Sequence, residues 1–302
     1  MQVIFPLEPP IIACKAAPME QDTPKGDRIA KVLARAGIAS RREAERMIDA
    51  GRVSVNDALI SSPALNVTGA DKIMVDGKLV GPPERARLWR YYKPIGLVTT
   101  ERDEKGRSTV FEELPDDLPR VMSVGRLDIN SEGLLLLTND GDLKRKLELP
   151  STGWVRKYRV RVNGRPNDEQ LEPLRKGIVA EGERFQPMQV SIDRQQGANA
   201  WLTVALREGK NREIRRAMDE VNLKVNRLIR VSYGPFQLNE MTPGEVEEVR
   251  AKILEDQLGI ERPIGTAKPK GKPVRTSSRQ TPRTRAIDPS KSLRKPKKPQ
   301  KR

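Results

Sequence analysis

The chain has 302 residues, 36 % of them apolar, and a net charge of +16, so it is long enough for two domains with a sizeable core and basic enough to point to a nucleic-acid partner. It contains no histidine, which excludes Ser-His-Asp triads, Cys-His pairs and zinc sites and leaves carboxylate, lysine, tyrosine or serine for any catalysis. A single cysteine, Cys14, excludes an intramolecular disulfide and fits a reducing, cytoplasmic location, while the longest apolar run, Leu134 to Leu137, falls far short of the roughly 20 residues that span a bilayer.

Residues 1–26 mix five prolines with a few apolar residues and lack the basic start and apolar stretch of a signal peptide. They read as a disordered leader, and Met19 is as plausible a start as Met1. From Asp27 the pattern changes. Ile29, Val32, Leu33 and Ala36 recur at the spacing of one helix face, and Gly37 fits the cap that ends it. Ser40 followed by Glu43 predicts a capping box opening a second helix, which Gly51 closes. Val53 and Val55 begin a strand, and Asp76-Gly77 predicts a type I′ turn between two further strands. Residues 27–86 are thus expected to form a small helix-helix-strand domain.

Arg41 and Arg42 fall in the first turn of the second helix, where the macrodipole disfavours cations by a few tenths of a kcal/mol. A solvated face is one explanation and an anionic ligand the other. The stretch R-I-A-K-V-L-A-R-A-G-I-A-S-R-R-E-A-E-R-M-I-D-A-G-R-V-S-V-N resembles the αL RNA-binding domain, across about 30 residues. That resemblance implies that Arg28, Lys31, Arg41, Arg42 and Arg46 touch RNA phosphates.

Between residues 87 and 258 short strands and helices alternate irregularly, which predicts an α+β domain with a largely antiparallel sheet. Glu245 to Leu258 reads as its final amphipathic helix. Residues 259–302 form a Lys/Arg/Pro-rich tail. From 263 onward it holds 14 Lys and Arg against the single acid Asp288, with seven prolines and no aromatic residue, and so is expected to be a disordered polycation that binds phosphates nonspecifically. A purely solubilising role is the alternative.

Two features of the second domain carry possible chemistry. In G-R-L-D-I-N-S-E-G-L-L-L-L-T-N-D-G a charged segment runs directly into a buried-strand pattern, placing Asp128 on a loop at the core edge. Taken alone, Asp128 is equally a turn or capping residue. In G-K-N-R-E-I-R-R-A-M-D-E-V, Ile214, Ala217, Met218 and Val221 form an apolar helical stripe with Arg215 beside it. An arginine at a core edge commonly pairs with a carboxylate. The pair is either a structural salt bridge or a device by which Arg215 holds Asp128 ionised and aimed.

With the blocks Y-Y-K-P-I-G-L-V-T-T, K-Y-R-V-R-V and R-L-I-R-V-S-Y-G, these features make the chain resemble the pseudouridine synthases that modify single uridines of ribosomal RNA, over about residues 27–250, and most strongly the large-subunit, 23S rRNA branch. The resemblance implies Asp128 as the catalytic carboxylate, Arg126 entering the base stack as the uridine leaves, Tyr158 stacking on the extruded base, Arg215 paired with Asp128, and Leu228 lining the pocket. It implies no cofactor and no metal, and as partner ribosomal RNA or a ribosomal assembly intermediate. A monomer is expected. One departure is Leu149-Pro150, where the family has His-Pro, and no role is expected there. The alternatives are a synthase acting on 16S rRNA, a non-catalytic RNA-binding assembly protein, and a hydrolytic glycosidase using Asp128 with Glu132 as a carboxylate pair.

Overall fold

The computed structural model describes residues 26–149 and 153–259, so the leader, the choice between Met1 and Met19, Pro150 and the basic tail lie outside the described residues. The chain divides into two compact units between Glu84 and Arg85.

The first unit runs β1 (Asp27–Arg28), α1 (Ile29–Arg35), α2 (Arg41–Asp49), β2 (Val53–Val55), β3 (Ala58–Leu59), β4 (Asn66–Val67), β5 (Ile73–Val75) and β6 (Lys78–Leu79). Four strands form an antiparallel sheet in the order β3-β2-β5-β6, while β1 pairs with β4. The expected helix face is buried at Ile29 and Leu33, which pack with Ala44, Ile48 and Val53. Ser40 caps α2 by accepting the Glu43 N–H at 3.1 Å. The Glu43 carboxylate meanwhile pairs with Arg46 one turn further on, so the side chain predicted to close the capping box is drawn to a cation instead. Asp76 and Gly77 both take positive φ and join β5 to β6 as predicted. Asn56 and Asp57 make the same kind of turn between β2 and β3, unanticipated because no glycine stands there.

The second unit begins with β7 (Leu88–Lys93), β8 (Met122–Val124), β9 (Glu132–Thr138), α3 (Gly141–Glu148) and β10 (Arg156–Asn163). It continues with α4 (Asp168–Lys176), β11 (Val179–Ala180), β12 (Glu183–Arg184), β13 (Gln189–Gln196), β14 (Asn199–Leu206) and α5 (Glu213–Glu220). It ends with β15 (Lys224–Tyr233), β16 (Phe236–Gln237), β17 (Val246–Glu248) and α6 (Ala251–Leu258). The main sheet has the order β13-β14-β10-β15-β9-β7-β17, with β16 on β15 and β8 on β9. The final helix is shorter than the Glu245–Leu258 expectation. Val246 pairs with Tyr91, and residues 246–248 complete the sheet edge before the chain turns helical at Ala251.

Strand β9 is buried at every position, which is why it reads as an unbroken apolar run rather than an alternation. Leu135 and Leu137 enter a core with Val160, Leu171, Leu202 and Met218, whereas Leu134 and Leu136 enter a second with Leu143, Leu147, Tyr233 and Phe236. Each buried leucine contributes about 1.5–3 kcal/mol relative to exposure. Strands β10 and β14 behave differently, with one face in the first core and the other toward solvent.

Every pairing in this sheet is antiparallel except that of β15 with β9, where Ile229 faces Glu132 and Arg230 faces Gly133. Gly133 has φ +102°, and a Cβ there would lie 2.4 Å from the Arg230 carbonyl oxygen and 2.8 Å from its nitrogen. Only glycine lets the two backbones approach so closely. Replacing Gly133 with Ala is expected to destabilise the protein by more than about 2 kcal/mol, because backbone strain alone costs about 1–3 kcal/mol. Urea denaturation measures this, and a loss within experimental error would show that the seam tolerates a side chain.

Candidate active site

The loop 125–131 between β8 and β9 carries Asp128, and its backbone is held from several sides. Lys93, at the end of β7 and fully buried, donates from Nζ to the carbonyls of Pro94 (3.0 Å), Asp128 (3.3 Å) and Ser131 (2.9 Å). Thr99 Oγ1 donates to the Leu127 carbonyl at 2.9 Å, and the Gly96 N–H reaches the Ile129 carbonyl at 2.8 Å. Within the loop the Ser131 N–H closes on the Asp128 carbonyl at 2.9 Å, and Gly125 N–H donates to Glu148 at 2.7 Å. Asp128 itself is half-buried, and its carboxylate makes no hydrogen bond or ion pair among the described residues.

Arg215 is placed differently from the expectation. It is buried, but its guanidinium donates to the carbonyls of Asn130 (2.8 Å) and Val225 (3.1 Å) rather than forming an ion pair with Asp128. The physical reason lies in the donors' directions: its two terminal nitrogens each meet a carbonyl, one on the Asp128 loop and one on β15. Its charge still acts on Asp128 through space. The expected direct pairing is therefore replaced by a grip on the loop backbone two residues away.

Asp128 opens onto a cleft of about 750 Å³. Arg126, Tyr158 and Leu228, all three expected from the sequence, line it. Tyr158 pairs in register with Arg230 of β15, and Leu228 with Val160, so the tyrosine and leucine face the cleft from neighbouring strands. Arg126 is exposed at the loop. Lys144, Arg156, Lys210 and Arg212 add positive charge to the lining. In the first unit Arg28, Arg41, Arg42 and Arg46 are exposed, while Lys31 is half-buried and pairs with Asp27 at 3.0 Å.

Glu132 lies outside the cleft lining. Arg227 holds it at 2.6 and 3.0 Å and the Tyr92 hydroxyl donates to it at 3.1 Å, which keeps its carboxyl below the ordinary range. Already neutralised and tying β9 to β15 and β7, it does not form a catalytic pair with Asp128, and the glycosidase geometry is not built. Among the described residues no cluster of three or more potential metal ligands occurs.

Lys93 and Glu213 were not singled out in the sequence. A signal was present for Lys93, which continues the inward phase of Trp89 and Tyr91 on β7 and so falls on an apolar face. Burial lowers its ammonium to about 8, against the opposing pull of Asp128 and Glu132. Glu213, at the start of α5, lines the cleft while nearly fully buried, and burial is the first cause that raises its carboxyl to about 7. Because the Lys93 amine is charged below about pH 8 and neutral above it, kcat is expected to fall as pH rises through that value. Global unfolding does not account for such a fall: between pH 8 and 10.5 the unfolded chain binds the proton that the native amine has lost, so this group's contribution to stability rises with pH. A pH–rate profile flat to pH 10 would refute the role of the ammonium.

Residues 87–220 match the family model described as RNA pseudouridylate synthase, and residues 27–73 match the S4 domain. An uncharacterized RNA pseudouridine synthase of Rickettsia conorii is 48 % identical over 229 residues, covering 76 % of this chain and 99 % of the relative. Ribosomal large subunit pseudouridine synthase B of Escherichia coli O157:H7 is 43 % identical, covering 72 % of this chain and 77 % of the relative. The enzyme of that name from Haemophilus influenzae is 40 % identical, covering 80 % and 70 %. A crystal structure of a pseudouridylate synthase superposes with a TM-score of 0.55 at 23 % identity, over 76 % of this chain and 99 % of that one, a likeness of fold.

Proposed function

Because the chain belongs to the RNA pseudouridylate synthase family, we propose that it isomerises a uridine of ribosomal RNA, in the 23S RNA of the large subunit, with Asp128 as the catalytic carboxylate. The observation that carries this reading is the state of Asp128: its backbone is anchored on both sides, while its carboxylate has no hydrogen-bonded partner among the described residues and opens onto a basic cleft.

The reaction breaks the bond from ribose C1′ to uracil N1, turns the uracil and rejoins C1′ to C5, with the C5 proton lost and a proton gained at N1. It is redox-neutral and calls for no cofactor. A carboxylate at this position serves as nucleophile toward sugar or base, or as the anion beside an oxocarbenium-like ribose. A stacked uridine is out of its reach, so the base must first be flipped at a cost of a few kcal/mol.

The lining residues divide that work. Arg126, exposed at the mouth, is suited to fill the space left in the base stack. Tyr158 offers its ring to the extruded uracil and Leu228 closes the apolar side. Lys93 and Arg215 act as positioning residues, holding the loop backbone and contributing positive charge near Asp128. In the first unit Arg28, Lys31, Arg41, Arg42 and Arg46 contact RNA phosphates. We further propose that the protein works in the cytoplasm as a monomer, on ribosomal RNA or an assembly intermediate.

Asp128→Asn is isosteric and leaves the backbone anchors in place. It is expected to bind ribosomal RNA as the parent does and to form no pseudouridine at the target site. Mapping of pseudouridines in RNA treated with either protein checks this, and undiminished modification by the mutant would refute the assignment.

A further inference from the structure

We propose that the solvent face of the β13-β14-β10-β15 half of the sheet is a second RNA-binding surface, one that grips ribosomal RNA outside the segment entering the cleft. The alternation of β10 sets it up. Tyr158 points to the cleft side, so Lys157, Arg159 and Arg161 point to the opposite side, and all three are exposed. The strand register then assembles a row across four strands: Arg194 faces Trp201, Trp201 faces Arg161, and Arg161 faces Arg227.

In the next row Arg159 places its guanidinium over the Trp201 ring, 4.9 Å from the centroid. The acids on this face are few. Glu132 is bound to Arg227, and Asp193 stands 3.9 Å from Arg159. Lys157, Arg161 and Arg194 have no carboxylate partner among the described residues.

A merely solvated sheet face is the plain alternative, but such faces mix the two signs and keep tryptophan out of water. Here Glu132 offsets Arg227, but Arg161 stands two positions from Arg159 and four from Lys157 on the same face of one strand, an arrangement in which like charges repel. A polyanion bound across the strands relieves that repulsion. RNA fits best among polyanions, since the arginines suit phosphates and the half-buried Trp201 adds an aromatic surface beside them. A hairpin seated in the cleft cannot also reach the other side of the sheet. Only a larger RNA touches both.

The inference rests on RNA being the substrate. It is tested on the full chain with the triple variant Lys157→Gln, Arg159→Gln, Arg161→Gln, which leaves Arg227 and its bond to Glu132 intact. The probes are protein-free large-subunit ribosomal RNA and a short single RNA hairpin. Affinity for the long RNA is expected to fall about tenfold, and the slope of log affinity against log salt to become shallower by about 2 to 3, roughly 0.7–0.9 for each lost phosphate contact. Hairpin affinity and kcat should not change.

An unaltered slope with the long RNA overturns the proposal, as does equal weakening of both RNAs, or a loss of affinity for polyglutamate in place of RNA. Should the variant not fold, acylation of Lys157 in the unmodified protein decides: protection by the long RNA and not by the hairpin supports the surface, and equal reactivity with either overturns it. Failure of the catalytic reading is separable. An Asp128→Asn protein that still modifies RNA leaves this surface standing, whereas an unaltered slope removes the surface alone.

Discussion

The second unit depends on one close approach, that of Gly133 to the backbone of Arg230 where β9 and β15 run parallel. Without it the sheet would be two antiparallel halves, one carrying Tyr158 and Leu228 and the other leading into the Asp128 loop. The seam brings them to the same cleft. Its neighbours reinforce it: Arg227 reaches from β15 to Glu132, and Arg230, itself buried, donates to the Leu134 carbonyl at 2.7 Å.

Around this seam the protein buries cations to fix a loop. Lys93 and Arg215 approach the Asp128 segment from β7 and α5, and the hydrogen bonds that they make among the described residues all go to main-chain carbonyls. Binding the main chain rather than the carboxylate leaves Asp128 available while still surrounding it with positive charge. A direct ion pair would have oriented the carboxylate at the cost of occupying its oxygens. The absence of histidine fits this plan, in which the electrostatics are set by groups that hold position instead of groups that shuttle protons.

Legibility in the sequence followed the range of the interactions. Local features were readable: the Ser40 cap, the Asp76-Gly77 turn, the stripe of α5 and the buried strand from Leu134 to Leu137 all rest on neighbours within a few residues. Features that depend on a distant strand were not. Residues 246–248 look helical until Tyr91 supplies an edge to pair with, and Arg215 looks like a carboxylate's partner until the Asn130 and Val225 carbonyls are brought to it. Charge behaved similarly. Summed along the chain, the body outside the tail appears almost neutral, and only the alternation of β10 sorts its cations onto one side of a sheet.

The seam also has a consequence for the order of events during synthesis. Leu134 and Arg230 are 96 residues apart, so the contact across the seam closes a very long loop, and such closures come late because their entropy must be met before the contact exists. Chains emerge from the ribosome N-terminus first, at about 5–20 residues per second. The segment bearing Asp128 is therefore made well before β15, and while the chain is still growing it has neither Arg215 nor the parallel strand to hold it. A nascent chain has completed the segment of its first unit long before the strand that carries Arg230 is made, and the Asp128 loop gains its full set of anchors only when that strand arrives.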